Sequence, residues 1–238
     1  MSFHNILVTG ANRGIGLEFV KQFLELEPKP KNIIATTRVD SECLNQLKNS
    51  HDNLHILKYE SLDYTNLDDF VQNVEQIFGS DGLDLLVNNA GMFIPFHSDS
   101  LVPSIMIKTF ETNAVAPMFL TKKLLPLLKK SSKQRKTVVA QISALMGSLN
   151  DNNTGGQYAY RGSKISLNMM SKSLAIDVKN DNIIVLIIHP GWVQTDMGTM
   201  RAPITAQTSV SGMLNVIREA TIDKTASFVD YNGKELKW

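Results

Sequence analysis

Tyr160 and Lys164 stand four residues apart, the pairing in this sequence best suited to acid–base chemistry. On a helix that spacing puts two side chains on one face, a turn apart. A phenol ordinarily titrates near pH ~10 and is a poor proton donor at neutral pH unless that value falls. A neighbouring ammonium lowers it. Tyr158 has Gly162 at the same spacing and lacks such a partner. Taken alone, the pair also fits an incidental neighbouring of two side chains on a surface helix. Ser143 closes an apolar run and could donate its hydroxyl to a substrate carbonyl at the mouth of a sheet, or simply cap a loop. Asn113 lies in a helical stretch, where asparagine is unfavourable. That suits a buried polar role, with a solvated side chain as the alternative.

A second constellation occupies residues 9–16, Thr-Gly-Ala-Asn-Arg-Gly-Ile-Gly, with glycines at Gly10, Gly14 and Gly16. It follows an apolar run and opens a helical pattern. Glycines let the backbone turn sharply and approach a ligand. The helix N-terminus then offers amide hydrogens and a positive dipole end to a pyrophosphate. Glycine spacing alone would equally serve a tight turn without a ligand. The strand before it and the helix after it favour a dinucleotide. Some twenty residues on, an acid would suit the ribose hydroxyl of NAD and an arginine the 2′-phosphate of NADP. Here the position is Arg38, and Arg13 inside the loop is a second cation. Two guanidiniums on a dianionic phosphate favour NADP(H), against the alternative of two ordinary surface arginines. Asp40 follows Arg38 and could cap a helix.

These residues need elements to hold them. Seven short apolar runs, at 6–9, 32–37, 54–59, 83–88, 137–142, 183–188 and 227–230, read as strands. Helical windows at 14–27, 67–78, 109–128, 158–179 and 206–221 lie between them; in 67–78 the apolar residues Leu67, Phe70, Val71, Val74, Ile77 and Phe78 form one face. Alternating strands and helices predict an α/β fold, doubly wound, with a mainly parallel sheet covered on both sides. The strands are rich in Val, Ile and Leu without alternation, as two buried faces require. Ligands in such folds bind at the carboxyl ends of the strands, where the glycine loop and Ser143 fall. Residues 129–136 read as a polar, solvated link, and residues 149–156 as a turn-rich insertion close to the chemistry. Phe93, Phe96, Met146, Trp192 and Met197 are candidates to line an apolar cavity, although such residues also build cores.

Composition narrows the class. A formal charge of +1, from 24 Lys and Arg against 23 Asp and Glu, gives no reason to expect nucleic acid or an anionic membrane as partner. Cys43 is the one cysteine, so no internal disulfide forms. Cys43 and the five histidines show no metal-ligand spacing, and no metal is expected; His189, before a proline, reads as packing. No leader pattern and no long apolar stretch is evident, which makes the cytoplasm the expected location.

In order along the chain stand the glycine loop, Asn88-Asn89-Ala90-Gly91, Asn113, Ser143, Tyr160 with Lys164, and residues 190–195, Pro-Gly-Trp-Val-Gln-Thr. Together these resemble the short-chain dehydrogenase/reductase family over essentially the whole chain. Residues 157–161, 189–198 and 229–238 are most similar to its carbonyl reductases. The resemblance implies a single Rossmann domain over residues 1–238 that uses NADPH to reduce an aldehyde or ketone. It implies Tyr160 as proton donor, Lys164 as the group that lowers the Tyr160 pKa and holds the nicotinamide ribose, and Ser143 as the hold on the carbonyl. Asn113 would anchor a water leading from Lys164 to solvent. Gly10, Asn12, Arg13, Gly14, Ile15 and Gly16, with Arg38, would bind the phosphates. Asn88, Ala90 and Gly91 would line the cofactor, and Pro190, Gly191, Val193 and Thr195 would close over the nicotinamide. The family's adenine-contacting acid falls on Glu60, with Asp63 competing. A homodimer or homotetramer, paired through the helices carrying Asn113 and Tyr160, is implied as well. Sixteen residues separate Ser143 from Tyr160, more than is usual in the family, and the extra length falls at 150–156, where it would shape the substrate entrance. The stretch between Thr195 and the helix at 206 is short, leaving little for a large lid. The same residues run in reverse would make an alcohol dehydrogenase. A nucleotide-binding redox sensor with slow turnover is the reading from another class, and the intact Ser143, Tyr160 and Lys164 speak against it.

Overall fold

The computed structural model describes residues 3–95 and 102–238. Its strands are β1 (Asn5–Val8), β2 (Asn32–Thr37), β3 (Leu54–Lys58), β4 (Leu85–Asn88), β5 (Thr137–Ile142), β6 (Ile183–His189) and β7 (Phe228–Asp230). They form one sheet in the order β3-β2-β1-β4-β5-β6-β7, and every pairing is parallel. The helices are α1 (Gly14–Leu24), α2 (Glu42–Ser50), α3 (Leu67–Phe78), α4 (Pro103–Phe110), α5 (Ala116–Ser132), α6 (Tyr158–Asp177) and α7 (Ala206–Glu219).

Alternate residues of each central strand enter different cores. Ile6 and Val8 of β1, and Ile184, Leu186 and Ile188 of β6, pack with Phe19 and Phe23 of α1 and Met213 and Ile217 of α7. Leu7, Ile183 and Val185 face the other way, onto Phe70, Val74 and Phe78 of α3 and Leu120, Leu124 and Leu128 of α5. Each fully buried side chain of this size contributes roughly 2 kcal/mol of transfer free energy. Both faces of the sheet are therefore needed, and the expected doubly wound α/β fold is the one observed. Chain order reverses between β1 and β4, which opens a crevice above their carboxyl ends.

Several local expectations are corrected. Helix α2 has no counterpart among the expected windows, because Leu44 is its one buried residue and leaves no apolar stripe to read. Its N-cap is Ser41 rather than Asp40; the Asp40 carboxylate instead accepts from the Ser41 amide and from Asn45 Nδ2. The window 109–128 is two helices joined by a π turn, Glu111–Val115, in which the Ala116 amide reaches back to the Glu111 carbonyl. The link at 129–136 is helical through Ser132. Far from being solvated throughout, it sends Arg135 onto the fully buried Asp84, 3.1 Å from Nε, while Ser131 donates to the same carboxylate at 2.5 Å. Among the described residues, no helix is long and apolar enough to cross a membrane.

Candidate active site

The loop from β1 into α1 is braced from two sides. The Gly10 and Ala11 amides bond Thr36 on β2, and Asn89 Nδ2 bonds the carbonyls of Thr9 and Gly10 at 2.9 and 3.1 Å. Thr9 Oγ1 receives the Asn89 and Ala90 amides, each at 3.0 Å. A β-carbon on Gly16 would lie 2.3 Å from the Gly10 carbonyl oxygen, so only glycine lets the helix start this close to the strand end. Arg13, the N-cap, sends no side-chain hydrogen bond into the first turn. The opening amides of α1 have no intrahelical acceptor and point into the crevice region. Asn12 and Ile15 lie in this turn, with the Asn12 carbonyl accepting from Ser41 Oγ at 3.3 Å.

The two candidate phosphate cations are not bare. Arg13 pairs with Asp196 at 2.7 Å and Arg38 with Glu60 at 3.7 Å, all four side chains being largely exposed. Exposed pairs of this kind are held weakly, by about 0–1 kcal/mol. Of the two candidate adenine acids, Asp63 is engaged in its own turn. Asn66 and Thr65 donate to its carboxylate, and the Asn66 side chain above all holds it below the ordinary carboxylate range.

Tyr160 and Lys164 occupy the first turns of α6, and Lys164 Nζ lies 5.7 Å from the centre of the Tyr160 ring. Lys164 is fully enclosed and donates to the Ile142 carbonyl at 2.8 Å, immediately before Ser143 at the end of β5. Phe93 packs edge-on against Tyr160, ring centres 5.0 Å apart. Burial pushes the Lys164 ammonium down to about 8 and the Tyr160 phenol up to about 12. Desolvation is the cause of both shifts. Gly91 keeps the space beside them open, since a β-carbon there would stand 3.2 Å from Asn113 Oδ1 and 3.9 Å from Lys164 Nζ.

Asn113 sits in the π turn, a distortion often found at functional sites. Both of its amide hydrogens are used: Nδ2 donates to the Met92 carbonyl and to Ser163 Oγ, while Oδ1 accepts from the Met92 amide at 2.8 Å. It thus clamps the segment after β4 to α6. Asn88 donates to Thr121, and its buried Oδ1 has no partner among the described residues.

After β6 the chain turns at Gly191, φ 84, where a β-carbon would strike Ile204. Pro190 is tied to α7 through Ser209 Oγ at 2.6 Å, and Val193 bridges to Ile204. The Thr195 methyl rests against Gly14, so this segment touches the glycine loop across the crevice. Of the apolar candidates, Trp192 and Met197 are substantially exposed, Trp192 donating to the Gly198 carbonyl, and Met146 is half-buried. Phe96 lies outside the described residues. The insertion before Tyr160 is pinned at both ends. The Asn150 amide donates to the Trp238 carbonyl, and Arg161 to Thr154. A cavity of about 520 Å³ opens elsewhere, between α1 and α7, and holds none of the residues above. No cluster of His, Cys, Asp or Glu able to hold a metal occurs among the described residues.

Nothing in the sequence singles out Thr9, Thr36 or Ser163. Asn168 is within its reach: the poor fit of asparagine to a helix interior, which marks Asn113, marks Asn168 equally.

A crevice at the β1–β4 reversal, with a glycine loop at the end of β1 and a Tyr/Lys pair at the start of α6, describes a class of dehydrogenases. Residues 4–204 match the family model for short chain dehydrogenase, and the chain belongs to that family. Among solved structures it is similar to carbonyl reductase Sniffer of D. melanogaster, at 35% identity with all of both chains covered and a TM-score of 0.97. It is also similar to an NADPH-bound carbonyl reductase from chicken fatty liver, at 33% identity with all of both chains covered and a TM-score of 0.96. A curated relative, C-signal of Myxococcus xanthus, is 40% identical over 157 residues, spanning 66% of this chain and 93% of that one.

Proposed function

We propose that this protein is an NADPH-dependent carbonyl reductase, reducing an aldehyde or ketone to the alcohol. The observation that carries the reading is the buried Tyr160 phenol, held protonated by its surroundings one helical turn before a buried lysine at the crevice. A donor must hold its proton until the substrate oxygen develops negative charge, and burial gives Tyr160 that property.

The residues fit a nicotinamide dinucleotide. The glycine loop leaves amides for a pyrophosphate, Gly91 leaves room beside Lys164, and the orphaned Asn88 Oδ1 awaits a donor. When bound, the cofactor supplies a hydride to the carbonyl carbon. Asn12, Gly14, Ile15 and Gly16 cradle the phosphates with backbone groups, and Gly10, its amide on Thr36, sets the turn that brings them there. Arg13 and Arg38 exchange their exposed carboxylate partners for the 2′-phosphate, and Glu60, its carboxylate held only loosely by Arg38 at 3.7 Å, faces the adenine end. Ala90, Pro190, Gly191, Val193 and Thr195 wall the nicotinamide side. Lys164 has two ammonium hydrogens beyond the one on Ile142 and offers them to the ribose hydroxyls. Ser143 hydrogen-bonds the substrate oxygen, and Tyr160 delivers the proton to it. Asn113 holds the wall on which Gly91 sits. The similar NADPH-bound carbonyl reductase supports the cofactor and the substrate class. Exposed Met106, Ile107, Phe119, Met169 and Ile176 on α4, α5 and α6 support pairing of two copies through those helices.

The test is turnover of a panel of aldehydes and ketones, read as loss of nicotinamide absorbance with NADPH and with NADH. Turnover with NADPH is expected, and Tyr160→Phe abolishes it while NADPH binding persists. A purified protein that binds NADPH tightly yet reduces no carbonyl would sink the reading, and an active Tyr160→Phe would remove Tyr160 from the chemistry.

A further inference from the structure

Ser143 does not point an idle hydroxyl into the crevice. Its Oγ lies 2.5 Å from Asn168 Oδ1, and both residues are almost wholly buried, Ser143 at 2% and Asn168 at 1% exposure. Asn168 stands one turn beyond Lys164 on α6. Its other amide atom, Nδ2, donates to the Gly147 carbonyl at 3.2 Å. A carbonyl can only accept, so the amide nitrogen must face Gly147 and the amide oxygen must face Ser143. An amide oxygen has no hydrogen, so the one Ser143 proton belongs to that bond. Gly147 fixes the arrangement: a β-carbon there would crowd Asn168 Nδ2 at 3.0 Å and the Lys164 backbone at 2.9 Å. The Ser143 amide is itself tied to the Ile188 carbonyl at 2.8 Å, so the serine backbone cannot shift to escape.

We propose that Asn168 is a positioning residue that holds the Ser143 proton and turns the serine lone pairs toward the substrate oxygen, favouring bound alcohol over bound carbonyl. The inference rests on the reading that Ser143 contacts the substrate oxygen of a carbonyl/alcohol pair. A carbonyl oxygen only accepts. To donate to it, Ser143 must leave Asn168 and orphan a buried amide oxygen, which is costly. An alcohol can donate its own hydrogen to Ser143 while the Ser143–Asn168 bond stays intact. The serine is thus poised as an acceptor, and Asn168 sets the balance between the two ternary complexes.

The test measures dissociation constants of two unreactive complexes, ketone with enzyme–NADP⁺ and the matching alcohol with enzyme–NADPH. Asn168→Leu removes the acceptor at similar size. It should tighten the ketone, loosen the alcohol and move their ratio by about five- to tenfold, the worth of one hydrogen bond. In a Ser143→Ala background Asn168→Leu should move nothing. Should Asn168→Leu fail to fold, Ser143→Ala alone decides: it should weaken the alcohol complex more than the ketone complex. A purely structural asparagine would weaken both complexes together. An unmoved ratio, or a ratio moving equally in the Ser143→Ala background, overturns the role of Asn168 while wild-type turnover of the same ketone leaves the parent reading standing. Absence of that turnover overturns both.

Discussion

Lys164 should destabilise the protein that depends on it. Burial takes its ammonium from an ordinary 10.5 down to about 8, a difference corresponding to roughly 3 kcal/mol. The sign follows from which state holds the proton more tightly. Between pH 8 and 10.5 the unfolded chain keeps a proton that the folded chain has lost, so folding stability rises with pH across that window. Below pH 8 both states are protonated and the full penalty stands. Replacing Lys164 by methionine removes the charge at similar length. Methionine cannot donate to the Ile142 carbonyl as Lys164 does, and that hydrogen bond is worth about 1 kcal/mol. At pH 7 the Lys164→Met protein should therefore be more stable by about 2 kcal/mol, and inactive. Urea unfolding of both proteins from pH 7 to pH 9.5 is the assay. Wild type should gain about 2 kcal/mol on the variant over that range. Stability curves that run parallel in pH would show that Lys164 is not desolvated as argued. A variant less stable at every pH would show that its hydrogen bond outweighs its burial.

Other outcomes follow from the same geometry. Arg38→Asp should shift the ratio of kcat/KM for NADPH over NADH toward NADH by roughly tenfold or more, as loss of a charge-assisted contact implies; an unchanged ratio would remove Arg38 from cofactor choice. His189 is held down to about 4, chiefly by burial and against the pull of Asp230 and Asp151, and its Nδ1 has no partner among the described residues. Below pH 6.5 the unfolded chain protonates this imidazole first, so stability falls as pH falls toward 4. From pH 7 to pH 5 wild type should lose about 2 kcal/mol more than His189→Gln, measured by urea unfolding.

Much of the molecule is legible in its residues. Strands buried on both faces are written as unbroken Val/Ile/Leu runs, and all seven end within two residues of where those runs place them. The glycine loop carries its own conformational demand, and Tyr160 with Lys164 is a spacing. What escapes depends on three dimensions. Helix α2 buries Leu44 and little else, so no periodicity announces it. Arg135 looks like any residue of a basic tract until Asp84, fifty-one positions away, proves to be buried beneath it. The spacing of Tyr160 and Lys164 reveals the ammonium but not the exclusion of water around the ring, which raises the phenol. Asn168 is readable from propensity, yet its meaning needs the Gly147 carbonyl that orients its amide.

The contact between Arg13 and Asp196 has a bearing on which phosphates the crevice admits. Asp196 is tethered beside the guanidinium, so it competes at a fixed, high effective concentration. A free phosphate ion brings only its own charge to that contest. On the proposed reading a dinucleotide would bring its pyrophosphate to the amides of α1 as well, and would displace the weakly held carboxylate more readily than inorganic phosphate. On the cofactor's release Asp196 would take the guanidinium back. On that reading the pairing, worth about 0–1 kcal/mol, slightly disfavours a simple anion at Arg13 against a phosphate that is also held elsewhere.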